Sequence, residues 1–157
     1  MKNIFLFLSF CFFLQSCGQS FLYEKDISLS ENTWNYENKL DFPFEITDTK
    51  ALQNLYLDLT HSTEFKTQNL YVKFHTKSPS GKVISDMVSL ELAEKNGVWF
   101  GDCGGEWCDL RISIQSGAYF DEAGTYTLSV EQYTRTEALK GVKSIGFRIE
   151  KMNKTRK

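Results

Sequence analysis

The stretch NLYVKFHTKSPSGKV, residues 69–83, decides the fold class. Leu70, Val72 and Phe74 alternate with outward positions, which is the period of a strand with one buried face and one wet face. The loop SPSGK then supplies proline, glycine and serine, residues that turn a chain, before a second apolar run begins at Val83. Alternating apolar and polar residues next to such a turn are typical of antiparallel strands.

The same alternation recurs at residues 54–62 (NLYLDLTHS), 125–133 (TYTLSVEQY) and 144–151 (SIGFRIEK). Turn signals separate these runs, including Asn96-Gly97 and the sequence DEAGTY. A spacing of roughly 8–12 residues between turns is typical of sandwiches and barrels. We therefore predict an all-β fold: an antiparallel two-sheet β-sandwich, immunoglobulin-like or jelly-roll-like, with about eight strands.

Two local patterns refine this prediction. The segment TRTEALKGV offers one helical turn, with Thr136 as its cap and Gly141 as its stop, so at most one short helix is expected. The sequence EAGTY, with Glu122, Gly124 and Tyr126, resembles the tyrosine corner of immunoglobulin-like sandwiches. A plain turn followed by a strand tyrosine explains the same residues equally well.

The strand patterns also predict which aromatic side chains are buried. His61 and His75 are assigned to polar strand positions, so both are expected at the surface or rim. The aromatic residues expected in the core are Trp34, Phe42, Phe44, Trp99 and Phe100.

The N-terminal sequence has the pattern of an export signal. Residues 1–16 contain Lys2 and then an apolar run of about a dozen residues, which is shorter than the roughly 20 that cross a bilayer. The run ends at LQSC followed by glycine, which resembles a bacterial lipobox, although Gln15 departs from the usual small or branched residue. Cys17 is therefore predicted to carry acyl chains such as palmitate, and two or more chains give stable anchoring. The alternative is an ordinary cleaved signal that leaves Cys17 as a free thiol.

These boundaries divide the 157 residues into four segments. We expect a removed signal peptide at 1–16, a lipid-anchored tether at 17–24, one β-sandwich domain at 25–151, and a frayed basic tail at 152–157. The formal net charge is −2, with both signs mixed along the chain. That balance excludes the basic footprint of a nucleic-acid-binding protein.

The sequence contains no recognisable catalytic motif. HExxH, GxSxG, a P-loop and a helix-opening GxGxxG are all absent from the sequence. A cysteine–histidine pair could meet in space, but nothing in the sequence positions a third, orienting group. Asp102, Glu106 and Asp109 offer hard oxygens that suit calcium, but a solvated acidic loop is the favoured interpretation. We therefore predict no catalytic residue, no metal, and no cofactor beyond the covalent lipid on Cys17.

Cys103 and Cys108 flank the glycine-containing turn CGGEWC. An exported domain lives in an oxidising compartment, where paired cysteines favour a disulfide. Zinc needs four ligands and a redox centre more often has two intervening residues, so neither fits as well. We predict a Cys103–Cys108 disulfide that presents Trp107, in a surface loop, as a candidate contact residue.

The ordered segments FPFEITD, NLYLDLTHSTEF and GTYTLSVEQYTRTEALKGVKSIGFRIEK, together with the lipobox and Trp34, resemble the gliding-motility lipoprotein GldH family. The resemblance covers residues 34–151, nearly all of the exported chain. It implies a lipoprotein of gliding bacteria that is associated with type IX secretion and has no enzymatic activity. The cysteine pair is not part of what the resemblance implies.

The combined prediction is a non-enzymatic cell-envelope lipoprotein that acts by protein–protein contact in a gliding or secretion apparatus. Its expected partners are the membrane, through the anchor, and other envelope proteins, with no nucleic acid and no small-molecule substrate. No acidic cluster follows Cys17 in CGQSFLY, which favours a periplasm-facing location. The alternative is a carbohydrate- or peptide-binding β-sandwich lipoprotein.

Overall fold

Strands form 65% of residues 21–156, the part of the chain that the computed structural model describes. Within that range lie eleven strands and one short 3-10 turn, Ser30–Asn32. The strands are β1 (Tyr23–Ser28), β2 (Thr33–Asn35), β3 (Leu40–Ile46), β4 (Ala51–Ser62), β5 (Asn69–Lys77), β6 (Val83–Glu91), β7 (Asp102–Gly104), β8 (Trp107–Ala118), β9 (Gly124–Gln132), β10 (Ala138–Lys140) and β11 (Val142–Thr155). The predicted signal peptide and Cys17 lie outside the described residues.

The strands assemble into three antiparallel sheets. A five-stranded sheet has the order β1-β11-β4-β8-β7, a four-stranded sheet has the order β3-β9-β5-β6, and β10 pairs with β2 in a separate ribbon. The two larger sheets pack face to face, as shown by the Phe42 and Phe147 rings, whose centroids lie 5.9 Å apart. The all-β, antiparallel prediction is confirmed, but eleven strands replace the expected eight or so. An immunoglobulin-like or jelly-roll-like topology stays a prediction.

Strand alternation correctly identified the core-facing side chains. In β5, Leu70, Val72 and Phe74 are buried, and they pack in one cluster with residues of the five-stranded sheet such as Leu57 and Phe147. The loop after β5 is the predicted hairpin turn, in which the Ser78 amide donates to the Lys82 carbonyl at 2.8 Å. Burying these apolar faces against each other supplies the main stabilisation of such a fold.

Two of the predicted core aromatics lie elsewhere. Trp34, Phe42 and Phe44 are buried as expected, but Trp99 is only half-buried and Phe100 is 36% exposed. Both follow the turn at Gly97, whose φ of +90° suits glycine. Beyond that turn the chain forms one isolated bridge rather than a long strand, so neither ring is carried fully into the core.

The predicted helical turn is absent from residues 134–141, where a loop leads into β10. Helix formation would need the backbone carbonyls of Thr136 and Glu137, and both already accept hydrogen bonds from the Gln132 side-chain amide, at 2.9 and 3.1 Å. The buried glutamine therefore shapes this loop in place of an internal hydrogen-bond ladder.

Both ends of the domain are more ordered than predicted. β1 starts at Tyr23, within the expected tether, and pairs with β11. β11 continues to Thr155, which pairs with Ala51, so most of the predicted frayed tail is strand. The Arg156 guanidinium also lies 2.8 Å from the Asp121 carboxylate. Long-range pairing, rather than local composition, orders this basic segment.

Candidate functional site

Cys103 and Cys108 form the predicted disulfide. They stand directly opposite each other in the β7–β8 hairpin, with a Cα–Cα distance of 4.0 Å. The chain at Gly101, just before β7, passes very close to β8. A Cβ at this position would overlap the Asp109 carbonyl oxygen. Closing so short a loop stabilises the fold by about 2 kcal/mol in the chain-entropy picture.

Trp107, the candidate contact residue, follows the tip of this hairpin. Its side chain is half-buried, and the Lys143 ammonium lies 5.2 Å from the ring centroid. The tip is fixed to the loop after β4, since the Thr63 amide donates to the Glu106 carbonyl at 2.9 Å. A contact role for Trp107 stays a prediction. A partner that contacted the Trp107 ring would also meet the Lys143 ammonium beside it.

His61 corrects the prediction of a surface histidine, because its exposure is 0%. Its position in β4 continues the inward series of Leu57 and Leu59, so strand parity places it in the core. Its Nδ1 lies 2.9 Å from the Ser62 carbonyl oxygen, and its ring makes an edge contact with Trp99 at 4.8 Å. Desolvation by burial lowers the pKa of His61.

His75 lies on a different surface, the outer face of the four-stranded sheet. It is half-buried, with Nδ1 2.7 Å from the Ser85 hydroxyl and Nε2 3.3 Å from the Glu131 carboxylate. The two histidines thus occupy different sheets and do not converge on one site. Across residues 21–156, no group of three or more histidine, cysteine or acidic side chains is placed to hold a metal ion.

A groove that the sequence patterns did not predict lies on another part of the surface. It has a volume of ≈ 1330 Å³ and lies between the outer face of the four-stranded sheet and the β2–β10 ribbon. Three tyrosines line it, Tyr36 and Tyr71 at 44% exposure and Tyr133 at 56%. Met87, on the neighbouring strand β6, extends the apolar surface. We call this surface the tyrosine groove.

Hydrogen bonds of the buried Gln132 side chain hold one wall of the tyrosine groove in place. The Gln132 side-chain oxygen accepts from the Thr134 hydroxyl at 2.7 Å, while the side-chain amide nitrogen donates to the Thr136 and Glu137 carbonyls. The Tyr36 hydroxyl donates to the Thr134 carbonyl from the opposite side. The wall is therefore built by the protein itself before any partner arrives.

The charges of the tyrosine groove are unbalanced. Lys66, Arg135 and Lys140 line it, and none of them forms an ion pair with another described residue. The only lining carboxylate among residues 21–156, that of Glu131, already lies 3.5 Å from the Lys39 ammonium. The groove thus combines exposed aromatic rings with an excess of positive charge.

A sequence signal for the tyrosine groove did exist. Strand alternation places Tyr71 on the wet face of β5, where an aromatic ring is not needed for the core. Tyr133 follows β9 directly, and its amide donates to the Tyr71 carbonyl at 2.8 Å, so the two residues are neighbours across the sheet. Tyr36, by contrast, reaches the groove only through the β2–β10 pairing, which has no short-range signature.

Comparison with known proteins identifies the family. A family model described as GldH lipoprotein matches residues 21–149. The chain belongs to the GldH lipoprotein family. A gliding motility lipoprotein GldH homolog of Christiangramia forsetii is 27% identical over 156 residues, which cover 95% of each chain. The gliding motility lipoprotein GldH of Flavobacterium johnsoniae is 24% identical over 161 residues, which cover 96% of this chain and 97% of the relative.

The resemblance predicted from the ordered segments is therefore confirmed, and the family match covers residues 21–149 of the described 21–156. As for membrane crossing, no helix within residues 21–156 has the length and apolar character needed to span a bilayer.

Proposed function

We propose that this GldH family member is a non-enzymatic envelope lipoprotein of the gliding-motility apparatus, associated with type IX secretion, and that it acts by protein–protein contact through the tyrosine groove. The observation that carries the proposal is the exposure of three tyrosines and Met87 around one prebuilt groove. Gliding motility is the process named for the two relatives described above.

The composition of the groove supports binding to a protein. Aromatic residues, methionine and arginine are the types enriched in protein interfaces, and Tyr71, Tyr133, Met87 and Arg135 all line this surface. Its volume of ≈ 1330 Å³ also exceeds the roughly 300–1,000 Å³ of typical small-molecule pockets. Exposed large apolar side chains gathered in one place commonly mark interaction sites.

The path of the N-terminus supports an orientation. The Phe21 ring centroid lies 5.0 Å from the Arg111 guanidinium, on the outer face of the five-stranded sheet. Cys17 precedes Phe21 by four positions, which an extended chain covers in at most about 14 Å. A lipid on Cys17 would hold the five-stranded sheet near the membrane. The tyrosine groove, on the opposite sheet, would then face the periplasm and its partners.

The test removes two groove rings without disturbing the core. The Tyr71→Ser/Tyr133→Ser variant should lose both gliding and the envelope gliding or secretion proteins that the wild type captures. Those proteins are identified by affinity purification with mass spectrometry. A Tyr119→Ser variant, which removes a tyrosine that is 55% exposed outside the groove, should behave as the wild type.

Unchanged capture and unchanged gliding by the double tyrosine variant would refute the groove as the contact surface. A melting temperature measured for each variant checks that the domain remains folded, since surface substitutions of this kind shift stability by only about 0.5 kcal/mol.

A further inference from the structure

We propose that the partner element entering the tyrosine groove is an acidic polypeptide segment. This inference rests on the proposed function, because it names the chemistry of the partner of that same groove. It starts from the three groove cations, Lys66, Arg135 and Lys140, which carry no ion pair within the described chain.

Exposed cations elsewhere in the described chain also lack carboxylate partners, among them Lys50, Lys95 and Lys154. What distinguishes the groove is that, within residues 21–156, its lining gathers three cations against one carboxylate, that of Glu131, which already lies 3.5 Å from the Lys39 ammonium. In a chain of net charge −2, this gathering leaves the groove positive. Such a concavity raises the local concentration of anionic partners and speeds their association.

The groove would bind its partner through side chains, because its loop carbonyls already accept hydrogen bonds within the protein. The loop carbonyls of Thr136 and Glu137 are bound by Gln132, and the Thr134 carbonyl is bound by Tyr36. These backbone groups are therefore not available to pair with an incoming strand. The tyrosine rings, the three cationic side chains and the apolar lining remain accessible.

The apolar lining favours a polypeptide over an anionic glycan. Phe65, Met87, Ala138 and Leu139 contribute carbon surface beside the tyrosines. Acidic peptide segments that also carry apolar side chains match both the cationic and the apolar side chains of this lining. A glycan rich in hydroxyl groups would leave the methionine and leucine surface without a complementary group.

The experiment measures binding of the lipidated, detergent-solubilised full-length protein to three fluorescent probes: poly-L-glutamate, poly-L-lysine and polygalacturonate. Poly-L-glutamate should bind, and its affinity should fall as salt is added, because exposed charge pairs are screened. The Lys66→Gln/Arg135→Gln/Lys140→Gln variant should bind poly-L-glutamate about tenfold more weakly, as expected for three exposed pairs. Poly-L-lysine should not bind this surface.

A matched triple variant, Lys50→Gln/Lys95→Gln/Lys154→Gln, removes the same charge from exposed positions outside the groove. It should bind poly-L-glutamate as tightly as the wild type. Equal weakening in both triple variants would overturn the inference, since it would show only a response to net charge. Tighter binding of polygalacturonate than of poly-L-glutamate, abolished by the groove variant, would overturn it in favour of an anionic glycan.

Failure of this inference is distinguishable from failure of the proposed function. If the double tyrosine variant loses the envelope partners while the groove cation variant retains them, the contact surface stands and its acidic partner does not. If the double tyrosine variant retains the partners, the contact surface itself is wrong.

Discussion

The outer faces of the two sheets handle charge in opposite ways. On the five-stranded sheet, Arg148 lies 2.6 Å from Asp26 and 3.5 Å from Asp58, and Asp58 also receives two hydrogen bonds from Arg111 at 2.7 Å each. Beside the outer face of the four-stranded sheet, the groove cations lie in loops and in β10, where Arg135 and Lys140 are exposed next to exposed tyrosines.

The difference shows on which face the charged side chains already have partners. A cation that is nearly buried and bonded to several carboxylates contributes to stability, and its surface has little left to offer a partner. Exposed cations beside exposed rings contribute little to stability and leave their interactions available. The five-stranded sheet therefore presents a self-contained surface, and the four-stranded sheet presents an incomplete one.

The largest expected effect comes from Gln132, a buried side chain that supports the incomplete face. Gln132→Leu should destabilise the domain by about 3 kcal/mol, because the Thr136 and Glu137 carbonyls and the Thr134 amide lose their partner together. Urea denaturation followed by circular dichroism measures this change.

A Gln132→Glu variant provides the matched control for that prediction. It keeps the acceptor for the Thr134 amide but turns a buried carboxylate oxygen toward the two carbonyl oxygens, so it should be at least as unstable as Gln132→Leu. A Gln132→Leu variant as stable as the wild type would show that the loop is held by something other than this amide.

The next effect compares the same substitution on both faces. Arg148→Ala should cost about 2 kcal/mol, because it leaves Asp26 and Asp58 facing each other without their shared cation. Arg135→Ala, on the open face, should change stability by no more than about 0.5 kcal/mol. Thermal unfolding of the two variants in the same buffer makes the comparison. Equal losses of stability would contradict the assignment of one self-contained and one incomplete face.

The sequence was sufficient for the inward faces of the strands but not for the groove. Alternation identified Leu70, Val72 and Phe74 because a strand has a two-residue period regardless of its neighbours. The groove depends on Trp34 of β2 standing opposite Leu139 of β10, a pairing between distant parts of the chain. No local pattern encodes which short segments meet in this way.

The misplaced helix and the misplaced histidine have different physical origins. Residues 134–141 have helical composition, but a buried side chain, that of Gln132, takes the carbonyls that a helix would use. The prediction assigns His61 to a polar strand position, whereas its parity with Leu57 and Leu59 places it inward. Tertiary contacts overrode propensity in the first case, and a closer application of periodicity would have been correct in the second.

The smallest effect concerns charge on the inner face of the five-stranded sheet, where His61 is a buried titratable group. Burial lowers its pKa in the folded protein below the usual value of 6.5, so the unfolded chain takes up a proton first as the pH falls. Stability should therefore decline as the pH drops from 6.5 through the folded-state pKa, and this contribution is fully present above pH 6.5.

Urea denaturation at pH 7.5 and pH 5.0 measures this component. His61→Phe places a ring of similar size beside Phe65 and Trp99, and the variant should lose less stability between the two pH values than the wild type. His75→Gln leaves His61 in place and should keep the His61 contribution. An identical pH dependence in the wild type and His61→Phe would mean that a buried neutral histidine makes no difference to this sheet, and that the contrast between the two faces lies in their outer surfaces alone.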